Sequence, residues 1–151
     1  MPSPRDDTPS STPLLSVILG YGPVALILLL ALIAWAGFAW AVPLAQVWAA
    51  AILIFIAGVA RGLSFFTEGG PRFSQLAVMM WRFVCGLLAL ILPPFWAFPV
   101  LALGYLSALL YDPYAARHGE APRFFAALRP PQMIVALTGL VLLAGVVFVQ
   151  V

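Results

Sequence analysis

Apolar residues come in five long runs, broken by Gly, Pro or charge instead of by alternating polar positions. The runs cover about residues 15–36, 46–66, 74–92, 95–111 and 131–151. A bilayer core of about 30 Å asks for roughly 20 apolar residues per helix, and these runs have that length. Alternation with period two is absent, so barrel strands are excluded, and helices are left as the spanning structure that satisfies its own backbone. The pattern predicts an all-α membrane protein: one five-transmembrane-helix bundle over residues 14–151. Gly20, Gly22 and Pro23 leave room for the first regular helix to start late. Residues 1–13 are rich in Pro and Ser and carry Arg5, Asp6 and Asp7. They cannot bury apolar surface and predict a disordered tail.

Charge gives the bundle a direction. With five spans, the tail and the loops after spans two and four share one side, and that side collects all seven arginines and all five acids. The other side carries no charge. Short loops rich in Arg stay in the cytoplasm, so the N-terminus is expected inside and the C-terminus outside. Trp35, Trp40, Trp48 and Trp96 fall near the uncharged side as an interfacial aromatic belt, with Trp81 elsewhere. The overall composition agrees, with 64% apolar and 8% charged residues, whereas a soluble domain carries about 25% charged. A net charge of +2 is too small a basic surplus for nucleic-acid binding. Lone Cys85 and lone His118 give no disulfide and no metal site, and no cofactor motif is present. All basic residues are Arg, and Ala, Leu and Pro abound, a composition that points to a GC-rich bacterial genome.

Within the spans the informative polar residues are Arg61 and Arg82. From the predicted boundaries both lie about 9–12 Å inside the charged side, on consecutive antiparallel helices. Facing inward they would pair as a cationic site for a lipid phosphate, a carboxylate or an acidic partner; facing outward they snorkel, or pair with Glu68 and Asp112. Gly58 and Gly62 form a GxxxG pair, and Gly104 with Ala108 repeats the spacing, so these four are helix-packing candidates. Pro122–Leu128 reads as a short amphipathic turn at the headgroups, with Arg123 and Arg129 meeting lipid phosphates. Pro99 is expected to kink the fourth span and open a small cavity near the uncharged interface. Asp112 is expected to end that span, and with His118 and Glu120 it makes the chain's one acid/base cluster.

Two segments carry a resemblance: FIAGVARGLSF (Phe55 to Phe65) and APRFFAALRPPQM (Ala121 to Met133). The first is similar to the Gly-x-x-x-Gly segment of the transmembrane protein 69 family, a bacterial multi-pass domain of unknown function. The second is similar to that family's aromatic pair and Leu-Arg before the last helix. Many members have His-Trp inside the glycine segment, where this chain has Ala60 and Arg61. The resemblance implies a five-helix inner-membrane protein and brings no activity with it.

These readings converge on a non-catalytic accessory, assembly or lipid-interacting protein of a bacterial inner membrane. It would act through its Arg-rich cytoplasmic face on anionic lipid or a membrane-protein partner. The alternative is a carrier or receptor for a small apolar or anionic ligand. A membrane enzyme is the third class, and would need Asp112, His118 or Glu120.

Overall fold

The computed structural model describes residues 12–150; most of the expected disordered tail lies outside them. Five helices and no strand are found among the described residues: α1 (Leu14–Trp35), α2 (Ala41–Ser64), α3 (Phe73–Ile91), α4 (Pro94–Arg117) and α5 (Phe125–Gln150). All five are long and apolar enough to cross a membrane, an architecture compatible with a multi-pass membrane protein.

Side-chain contacts fix how the helices run. Gln46 of α2 reaches Ala89 and Leu92 at the end of α3, Arg82 of α3 reaches Asp112 of α4, and Arg129 of α5 also reaches Asp112. Each of these pairs is therefore antiparallel. Gly20, Gly139 and Gly145 place α1 beside α5 in parallel, because a Cβ on each would meet Gln132, Ile27 and Trp35 in turn. The bundle has a charged end, where α1 starts and the α2–α3 and α4–α5 turns lie, and an opposite end without charge. Every charged side chain among the described residues belongs to the half nearer the charged end.

Several boundaries differ from the sequence reading. Helix α1 starts at Leu14 and passes through Pro23; Gly20 and Gly22 do not delay it, because neighbouring helices hold the segment in place. α2 starts at Ala41, five residues earlier than expected, since Pro43 falls in the first turn, where its missing N–H has no intrahelical partner to lose. α4 continues past Asp112 and through Pro113 to Arg117. The amphipathic turn expected at Pro122–Leu128 is not separate, because Phe125 onward belongs to α5, which runs through Pro130 and Pro131. Those prolines leave the carbonyls of Ala126 and Ala127 without a helical N–H, a loss tolerated where water or headgroups reach the backbone.

The core is made mostly of small residues. Ala31, Ala45, Ala49, Ala50, Ala89, Ala97 and Ala136 are fully buried, with Ile27, Leu53, Phe98 and Leu101 among them. Helix association in lipid has no hydrophobic driving force and depends on close van der Waals packing, which small residues allow. Leu29, Phe55, Val141 and Phe148 point outward, as they should in an apolar solvent. At Gly104 the helices approach closely: a Cβ would collide with Leu53 and press on Cys85, and Ala108 one turn on is fully buried. Gly58 and Gly62 differ from the packing expectation. A Cβ on either meets nothing within 4 Å, because this stretch of α2 turns its glycine face away from the other helices.

Candidate functional site

Arg82 stands nine residues beyond the start of α3, which at 1.5 Å per residue is about 14 Å along a 19-residue helix. It is 1% exposed. Side chains tilt toward the N-terminus of their helix, so Arg82 leans toward the charged end and meets α4. There its Nε donates to Ser107 Oγ at 3.1 Å and its Nη2 donates to Ser107 O at 3.2 Å and Asp112 Oδ1 at 2.6 Å. Asp112 is buried and takes a second cation, with Arg129 Nε 3.3 Å from Oδ2. Arg129 also lies over the Phe125 ring, 4.5 Å from its centroid. Asp112 therefore bridges Arg82 and Arg129.

A second pair lies beside it. Gly119 closes α4 with a positive φ of 77°, and Glu120 N donates to Ala115 O at 2.8 Å, the long bond of a Schellman closure. This turn sends the Glu120 side chain back into the bundle. Its Oε1 accepts from Arg72 Nη1 at 2.6 Å, and its Oε2 accepts from the Tyr111 hydroxyl at 2.9 Å. Gln75 links the start of α3 to the turn before it, accepting from Arg72 N and donating to Thr67 Oγ1. Between the two ion pairs is a cavity of about 30 Å³ touched by Arg82, Tyr111, Asp112, Glu120 and Arg129. That is room for about one or two waters. Carboxylates held in such pairs neutralise buried cations and are poorly placed to exchange protons with a substrate.

The sequence-predicted residues divide accordingly. Arg61 and Arg82 do not share partners: Arg61 is in the last turn of α2, donates to Ser64 Oγ at 3.1 Å and lies 4.1 Å over the Phe65 ring. The expected depth of Arg61 shrinks because α2 ends at Ser64. Glu68 is exposed in the α2–α3 turn and Arg123 in the turn before α5. Of Asp112, His118 and Glu120, the two acids border one cavity, each held by its own arginine, and His118 lies apart. His118 is exposed, stacks on Tyr114 at 4.0 Å and has Nδ1 2.8 Å from Tyr114 O. Pro99 does border a shallow groove at the uncharged end, with Phe95, Trp96 and Phe148.

Sequence reasoning missed Gln132. It is fully buried, and both amide atoms lack a hydrogen-bond partner, as does Arg129 Nε beyond its 3.3 Å ion contact. Gly20 leaves the space its amide occupies, since a Cβ there would collide with Gln132 Nε2. The signal was present as a lone Gln in the first turns of an apolar run. Comparisons of the chain with protein-family models, with curated proteins and with solved structures give no match.

Proposed function

We propose that this chain is a non-catalytic accessory or assembly protein of a bacterial inner membrane that engages anionic lipid through its charged end, with that end in the cytoplasm. The observation that carries the reading is the distribution of charge: among the described residues six arginines and three acids occupy one half of the bundle, and the other half has none. Such an end attracts anionic headgroups and the acidic surface of a partner, and it also matches the cytoplasmic retention of Arg. Membership in the transmembrane protein 69 family belongs to the same proposal and rests on Phe55–Phe65 and Ala121–Met133. A second reading, a carrier or receptor for a small ligand, is favoured by a groove of about 460 Å³ between α1, α2 and α5.

The test is purification from native membranes in mild detergent followed by native mass spectrometry. Retained anionic lipid or a stoichiometric membrane-protein partner is the expected result, and a bare protein that takes up no anionic lipid overturns the reading. Orientation is checked with a cysteine introduced at Glu68, which should be labelled in inverted vesicles and protected in right-side-out ones.

A further inference from the structure

The groove between α1, α2 and α5 has a polar mouth and an apolar floor. Ser16, Gly20, Arg129 and Gln132 line its upper part, and Val24 and Ile52 lie toward the middle of the bundle. Helix α5 has 26 residues, about 39 Å, against a bilayer core of about 30 Å. Its first turns therefore sit at the headgroup layer, with Arg129 at that level and Gln132 just beneath. Three polar atoms bordering the groove are buried beneath its mouth and have no hydrogen-bond partner: Gln132 Nε2, Gln132 Oε1 and, beyond its 3.3 Å ion contact with Asp112, Arg129 Nε. A buried amide left unpaired is costly and in a native fold asks for a partner.

Those atoms define what the partner must carry. Arg129 Nε–H and the Gln132 amide N–H need acceptors, and Gln132 Oε1 needs a donor. Charge adds a further requirement. Arg82 and Arg129 share the single carboxylate of Asp112, while Glu120 is taken by Arg72, so the cluster around Asp112 holds one positive charge without a counter-charge among these groups. An anion whose head also bears a hydroxyl meets all of these demands, and the apolar floor accepts one hydrocarbon chain.

We infer that the α1–α2–α5 groove is a binding site for one glycerophospholipid with an anionic, hydroxylated head, its phosphate held by Arg129 and the Gln132 amide nitrogen, its hydroxyl donating to Gln132 Oε1, and one acyl chain lying along Val24 and Ile52. The inference rests on the lipid-engaging reading above and assigns it a place. The pocket's size falls within the usual range for small-molecule sites, about 300–1,000 Å³.

The experiment is a lipid titration of the detergent-purified full chain by native mass spectrometry, with phosphatidylglycerol and phosphatidylcholine of the same acyl chains as probes. The wild-type protein is expected to hold phosphatidylglycerol about tenfold more tightly than phosphatidylcholine, as loss of a buried charge-assisted contact implies. Gln132→Leu and Gly20→Ala should weaken that preference severalfold. The first removes the amide and the second displaces it, and Gln132→Leu should melt in lipid-free detergent no lower than wild type, because it removes an unsatisfied buried group. A Gln132→Leu protein that melts well below wild type would show that the amide has a structural partner, and overturns the assignment. Intact phosphatidylglycerol preference in both variants overturns the groove while the lipid-engaging reading stands. Equal binding of the two lipids by the wild-type chain, as for a groove filled by water, overturns the inference, and absence of binding by either lipid removes the broader reading with it.

Discussion

The two ends of the bundle are held by different chemistry. At the uncharged end polar side chains serve the backbone. Pro93 has no N–H to give the Ala89 carbonyl, and Gln46 Nε2 supplies the missing bond at 2.7 Å while also donating to Leu92 O at 2.9 Å. Trp35 donates to Leu142 O, and toward the middle of the bundle Tyr105 donates to Ala49 O and Trp48 to Pro23 O. Gly37, with a φ of 95°, closes α1 through bonds from Gly37 N to Ala34 O and from Phe38 N to Ile33 O. At the charged end polar side chains bond the backbone too, but they also serve one another, as ion pairs around a small cavity, and they leave atoms of Arg129 and Gln132 without hydrogen bonds. One end is satisfied within the chain, and the other leaves bonding capacity at Arg129 and Gln132 unused.

Removing the bridge between the two arginines is the strongest way to break that contrast. Asp112→Ala strands Arg82 and Arg129 together, and a loss of about 3–5 kcal/mol is expected in reversible unfolding from detergent micelles. Arg82→Met should cost less, roughly 1–3 kcal/mol, because Asp112 keeps Arg129. Next comes Gly104→Val at the small-residue core, where Leu53 and Cys85 must move; about 1–3 kcal/mol of overpacking is expected, read in the same unfolding experiment. On the uncharged end Gln46→Leu leaves the Ala89 carbonyl unpaired, at about 1–2 kcal/mol, and the loss should not depend on lipid headgroup. The smallest effect belongs to Arg61→Ala, which gives up a half-exposed contact with Phe65 and Ser64 and should shift stability by about 1 kcal/mol or less. A larger loss there would show that Arg61 belongs to the buried network.

Helix number, type and approximate extent were legible in the sequence because each run is long enough to span lipid and none alternates. The ends were less legible. Prolines at positions 43, 113, 130 and 131 read as breaks, yet Pro43 falls in a first turn, where no intrahelical bond is lost, and each of the others removes a single bond without ending its helix. Moving those ends also moved the site. With α4 extended to Arg117, Asp112 becomes an interior residue facing Arg82, whereas as a terminal residue it belonged to a loop with His118 and Glu120. Spacing alone ranked Gly58 and Gly62 with Gly104 as packing glycines. Only the direction each helix face takes separates them, and in a chain this rich in Ala and Leu no polarity pattern marks that direction. Arg82 was legible as a buried charge that demands an explanation, and Asp112 stood among its expected ion partners; Arg129, the second cation on Asp112, was not legible, because it comes from another helix.

The Arg82–Asp112 pair has a consequence for how the chain enters a membrane. Arg82, at the middle of α3, alone adds about 2.5–3.5 kcal/mol to the insertion of its helix, and α3 and α4 are the two least apolar of the five spans. They are joined by only Leu92 and Pro93, a link too short for either helix to settle while the other waits. Entering as a hairpin, the two helices would carry their opposite charges into the bilayer already matched, and the shortest connection among the described residues would make insertion of the two most polar spans a single event.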